Sequence, residues 1–200
     1  SALPGKYGYC QRGGSGAFNA WAMMGATANE DNAFFDKDGN STLGQPGWVA
    51  GFQNLIDIYK NGWSPKDSVN WGYKETVAGF YTGTCAMLDQ DADVLAPTAE
   101  HMAPDDYGVV PMPKGKNGKS FPVLTYGSWG IMSASKNKDL AWKFLSAISA
   151  PDADTKWTQA VGALPIFRSA ESDPAYADPK YHAWFETLGD ENAIPTITPS

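Results

Sequence analysis

Histidine and cysteine are scarce in this chain, with two of each among 200 residues. His101 and His182 stand alone, in no His-Glu-x-x-His pair and beside no nucleophile, and neither a Gly-x-Ser-x-Gly elbow nor a P-loop is present. Metal centres need His, Cys or carboxylates clustered at ligand spacing, and no such cluster is written in the sequence. Basic charge is also short: 15 Lys and Arg stand against 22 Asp and Glu, a formal charge of -7. The acids are scattered along the whole chain, whereas a nucleic-acid or anionic-membrane partner calls for a clustered basic face. No apolar run approaches the ~20 residues that cross a bilayer; even Val123 to Ile131 is interrupted by Gly and Ser. No basic and then apolar leader opens the chain, so an export signal has been removed or was never part of it.

What remains is a folded, acidic, aromatic-rich protein. A hydrophobic content of 42% over 200 residues can bury a real core, as one large or two small domains. Cys10 and Cys85 are compatible with one disulfide in an oxidising compartment, or with two buried thiols. Tyr7 to Cys10 reads as a strand running into the loop Arg12-Gly13-Gly14-Ser15-Gly16. Phe18 to Gly25 fits a short helix, and Phe34 to Leu43 a hairpin about Asp38-Gly39. In that hairpin Asp36, Asp38 and Asn40 echo a calcium loop, but Gly39 comes too early and no Glu closes it, so it reads as a polar turn.

From Pro46, residues Val49, Phe52, Leu55, Ile56 and Tyr59 share one helical face that Asn61-Gly62 ends. A further helix over 74–81 leads to a continuous apolar run, Cys85 to Leu88, of the kind a buried strand shows. Tyr107 to Val110 and Val123 to Ser133 are the remaining expected strands, the latter with Gly127 and Gly130 inside it. After Ser135 or Asn137 as cap comes an amphipathic helix through Leu140, Phe144 and Ile148. Pro151 breaks it, Asp152 caps a shorter helix to Val161, and 180–188 forms the last. Strands alternating with helices point to α/β layering.

Four blocks carry a resemblance: Gly79-Phe80-Tyr81-Thr82-Gly83-Thr84-Cys85-Ala86-Met87-Leu88-Asp89, Tyr107-Gly108-Val109-Val110-Pro111-Met112-Pro113, Tyr126-Gly127-Ser128-Trp129-Gly130-Ile131, and Ser135 to Leu145. In this order and spacing they resemble the extracellular solute-binding proteins of bacterial carbohydrate and polyol ABC importers, the maltose-binding-like superfamily. The resemblance implies an α/β, periplasmic-binding-protein-like (type II) lobe with a mixed sheet flanked by helices. It implies that 1–124 and 169–200 form the second lobe and that 125–168 is a crossover belonging to the first. Most of the first lobe is unmatched, which implies a fragment. It also implies an exported protein, periplasmic or at the cell surface, that is not itself membrane-spanning and needs no cofactor, with a sugar or polyol and the permease subunits as partners. Polyol-binding relatives look similar in pairing the Cys before an Arg-Gly with the Cys before Ala-Met, so the resemblance favours a Cys10–Cys85 disulfide.

Sugar recognition needs flat aromatic faces for C–H surfaces and planar charged groups that bridge adjacent hydroxyls. Arg12 offers a fork of donors from its glycine-rich loop, or is a solvated loop arginine. Asp89, directly after an apolar strand, sits where ligands of open α/β sheets bind, and Asp91 follows it. The crossover stretch Tyr126, Gly127, Ser128 and Trp129 supplies backbone and a stacking ring, Trp129 competing with a core role. Arg168, Trp21 and Trp71 complete the expected ligand set, while Trp142 and Trp157 are assigned to packing. A binding module without a transporter, or a chemoreceptor, is the alternative. A glycosidase is the least favoured, because Asp89 and Asp91 lie side by side on one segment, not across a sugar, and no enzyme is expected.

Overall fold

The computed structural model describes residues 4–125 and 127–194. Two short parallel strands, β1 (Tyr7–Tyr9) and β2 (Cys85–Met87), pair with Tyr7 opposite Cys85 and Tyr9 opposite Met87. A parallel pair cannot be joined by a tight turn. Here the crossover holds three helices: α1 (Phe18–Asn29), α2 (Pro46–Lys60) and α3 (Tyr73–Tyr81). After β2 come α4 (Leu95–Ala99), α5 (Lys138–Ile148), α6 (Pro151–Val161) and α7 (His182–Leu188).

The core forms where α1 and α2 approach closely. Gly25 and Gly51 make this possible: a Cβ on Gly25 would overlap the Trp48 ring, and one on Gly51 would strike the Met24 carbonyl. Ala22, Ala26 and Trp48 are buried there with Phe121 and Ile194, and Phe34, Phe52 and Val123 pack around them. Val123 and Ile194 form an isolated parallel bridge, so the segment after α7 is sewn back beside residues 122–124. A smaller cluster secures α6 and α7: Tyr176 is buried edge-on to Tyr181 and Phe185, and its hydroxyl lies 2.6 Å from Thr158 Oγ1.

Pro46 opens α2 at its first turn, and Gly62, with φ +68°, follows its Asn61 cap, as the pattern predicts. The hairpin is present as the Phe35–Ser41 bridge, with the Asp36 carboxylate accepting the amides of Asp38 and Asn40 at 2.9 and 2.8 Å. Other expectations are corrected. Tyr107 to Val110 forms no strand, and among the described residues of 123–133 only Val123 is bridged, because neither run finds a neighbouring chain along its length. Asp152 lies within the first turn of α6, with Ala150 at the cap. Only Cys85 of β2 is buried; Ala86 is exposed and Met87 is 60% exposed. Trp142 and Trp157 are exposed instead of packed.

Candidate functional site

β1 and β2 run parallel, so the segments that leave them emerge at the same edge. Cys10 continues the ladder by donating its amide to the Met87 carbonyl at 2.8 Å. The Cys10–Cys85 disulfide, with Cα atoms 5.4 Å apart, locks that edge. Beyond it, Gly13 and Gly14 donate to the carbonyls of Ser68 and Trp71 at 3.0 and 2.9 Å. The loop thereby lies flat on the 3-10 turn Lys66–Asn70. Only glycine fits: a Cβ on Gly13 would come 2.6 Å from Val69 Cα, and one on Gly14 2.8 Å from the Asn70 carbonyl. Trp71 is half-buried and its ring packs on Gly79 beside the Cys10 sulfur, forming a wall behind the loop.

Arg12 is aimed by this loop. Its Nε donates to the Ser15 carbonyl at 2.5 Å, and its guanidinium lies against Gly16. Gly16 adopts φ +87° and has no room for a side chain there, so glycine is required on both counts. Burial raises the carboxyls of Asp89, Asp91 and Asp93, and the nearby Arg12 charge opposes that rise in each.

Those three alternate along the segment leaving β2. Burial pushes the Asp89 carboxyl up, against the opposing pull of Tyr9 and Arg12; the Tyr9 hydroxyl donates to Asp89 Oδ1 from the neighbouring strand. Burial and the adjacent carboxylate drive the Tyr9 phenol far up in turn, so it stays a donor at any working pH. Asp91 is exposed by surface area, yet protein crowds its carboxyl, and that lost hydration raises it, with Arg12 opposing and Asp89 adding. Desolvation and then the Asp91 charge push Asp93 up to about 6. Tyr73 of α3 donates to the Asp93 carbonyl at 3.3 Å, and its own phenol is pushed up to about 12 by burial and by that same residue.

The segment is braced from two more directions. Trp184 of α7 donates its indole N–H to the Gln90 carbonyl at 3.3 Å. Gly162, the left-handed cap of α6, lies so close that a Cβ would come 2.8 Å from Asp93 Cα. The result is an acceptor-rich edge with one fork of donors beside it.

Of the sequence-predicted residues, the structure brings together Arg12, Asp89 and Asp91, with Trp71 behind them. Gly127, Ser128 and Trp129 lie exposed on the crossover stretch, where Trp129 meets Trp157 edge-on at 6.1 Å. Tyr126 falls outside the described residues. Trp21 instead packs on Phe52 between α1 and α2, ring centroids 5.4 Å apart. Arg168 is exposed and faces Glu171 at 4.0 Å. Sequence reasoning missed Tyr9, Tyr73 and Asp93. A signal for Tyr9 existed: a Cys10–Cys85 bond sets the two strands side by side, which brings Tyr9 near the end of β2.

This fold is that of a periplasmic-binding-protein-like (type II) lobe. It overlays the sugar-binding protein MalE of Xanthomonas citri with a TM-score of 0.73 at 22% identity, over 98% of this chain and 49% of that one. It overlays maltose-bound MalE3 of T. maritima with a TM-score of 0.81 at 20% identity, over 96% and 51%. The model of the bacterial extracellular solute-binding protein family matches residues 1–155, and the chain belongs to that family. A Brucella abortus (strain 2308) protein, named for binding, is 27% identical over 164 residues, 81% of this chain and 40% of its own length. The chain thus spans 40% of that relative and about half of the solved structures. No helix among the described residues is long and apolar enough to cross a membrane.

Proposed function

We propose that the protein is the substrate-binding component of an ABC importer, exported to the periplasm or cell surface, that binds a neutral sugar or sugar alcohol and delivers it to the membrane permease. The observation that carries this is the convergence of Arg12, Asp89 and Asp91 at the C-terminal ends of two disulfide-locked parallel strands. Arg12 donates to neighbouring hydroxyls while Asp89 and Asp91 accept from them, and Trp129 with the Gly127 and Ser128 backbone closes on the ligand from the crossover stretch. The carboxylates outnumber the one arginine, so a uronate or sugar phosphate is repelled. The sugar-binding character of the structural neighbours supports the same ligand class.

Residues 125–168 belong, in this reading, to the opposite lobe of the whole binding protein. The support is α5, which buries none of its residues and leaves Leu140 and Phe144 uncovered. Closure of two lobes about the crossovers then buries the ligand and creates the form that docks on the permease.

Thermal unfolding against maltose, mannitol, sorbitol, xylitol and glucosides tests the assignment. A ligand at a hundred times its Kd adds about 2.7 kcal/mol, on the order of 5 to 10 °C for a chain of this size. A shift with one class of compound that disappears in Asp89→Asn is expected. A flat panel overturns the reading, and turnover of a chromogenic glycoside lost in Asp89→Asn replaces it with a hydrolase.

A further inference from the structure

We propose that Tyr9 is the positioning residue of the site: its phenol, reaching across from β1, holds the Asp89 carboxylate in one orientation by occupying Oδ1 and leaves the other oxygen to a ligand hydroxyl. The register builds this contact. Tyr9 pairs with Met87, and Asp89 lies two residues further along the same direction, beyond the end of β2. The disulfide from Cys10, the next residue, fixes the separation of the two strands at this point. Both groups are half-buried and the acceptor is a carboxylate, so the bond between them is charge-assisted and worth more than a surface contact. The other charged groups that act on Asp89 are Arg12 from the loop after β1 and Asp91 on its own segment. The Asp89 backbone amide is the carboxylate's other partner, and Tyr9 adds the hold from the neighbouring strand; a carboxylate that turns grips hydroxyls poorly.

The inference rests on Asp89 being a ligand contact, so its test has one arm that needs no ligand. In protein labelled with 13C-aspartate, three-bond couplings report the Asp89 χ1 rotamer, and the carboxyl carbon reports its titration. A single rotamer is expected in the native chain and an averaged one in Tyr9→Phe. The titration moves to higher pH in the variant, because the lost hydrogen bond favoured the ionised form. The native rotamer and titration persisting in folded Tyr9→Phe overturn the proposal.

The second arm measures maltose and mannitol binding by calorimetry. Whichever binds is held about tenfold more weakly by Tyr9→Phe, and its loss at acid pH begins at a higher pH than in the native chain. If neither binds the native chain while the rotamer still depends on Tyr9, the functional reading fails and the positioning contact stands. Should Tyr9→Phe not fold, the native chain decides: a slowly exchanging Tyr9 hydroxyl proton with a nuclear Overhauser effect to the Asp89 β-protons supports the contact, and its absence overturns it.

Discussion

Helices α2 and α5 carry the same kind of apolar stripe and meet opposite fates. In α2 the stripe is largely covered, though Val49 stays 51% exposed and Trp48, off the expected face, is the residue buried in its place. Trp48 and Leu55 are fully buried, and Gly51 lets α1 press in until Ala22, Ala26 and Trp48 form one core. α5 buries no residue fully: Ala141, Leu145 and Ile148 are half-buried, while Leu140 is 68% and Phe144 61% exposed. An amphipathic pattern states that a helix has a face to bury; it does not say where the covering surface lies. For α2 that surface is within the chain. For the Leu140 and Phe144 side of α5 it is not among the described residues, as the proposal that 125–168 belongs to another lobe would require.

The sharpest test of this contrast removes one apolar side chain from each helix. Leu55→Ala opens a cavity in a closed core and is expected to cost about 2–5 kcal/mol. Phe144→Ser changes an uncovered face and stays within about 0.5 kcal/mol in this chain. Urea unfolding of both variants measures the difference, and equal losses would show that α5 is packed after all. Next in size is the disulfide. Cys85→Ser releases the strand edge that carries Arg12 and Asp89 and lowers stability by about 2–4 kcal/mol, read as a fall in Tm that reductant reproduces in the native chain and not in the variant. A native chain indifferent to reductant would sink this prediction.

The smallest effect concerns Asp93. Its carboxyl titrates at about 6 in the folded chain against an ordinary 3.8. The folded state therefore holds the proton more tightly, and stability declines as pH rises from the ordinary value through about 6. Asp93→Asn removes this dependence: the variant is more stable than the native chain at pH 7 and loses that advantage at pH 4. Thermal unfolding at the two pH values checks it, and an advantage equal at both would contradict the titration.

The helices were legible because their signals are local. Pro46 and Asn61-Gly62 bound α2, Tyr73–Tyr81 falls within a residue of its expected span, and Pro151 separates α5 from α6. Strands were less so. A strand exists by virtue of the chain beside it, and Tyr107 to Val110 has the composition of a strand without the partner. The site divides in the same way. Arg12, Asp89 and Asp91 could be found because each lies just past an apolar run or inside a glycine loop. Tyr9 and Tyr73 were harder, because each acts across a gap of many residues, 80 from Tyr9 to Asp89 and 20 from Tyr73 to Asp93, and only the Cys10–Cys85 pairing pointed to the first.

By itself, then, the sequence determined the family, the helical segments, the acidic balance and the loops that carry donors and acceptors, since all of these are written in local order and composition. Only the tertiary structure decided that β1 and β2 are a parallel pair among the described residues, that Trp21 belongs to packing against Phe52, and that a phenol from β1 bonds the Asp89 carboxylate. The physical reason is that burial and pairing are relations between distant parts of the chain: the same tryptophan is core or open, and the same aspartate loose or held, according to what the fold sets beside it.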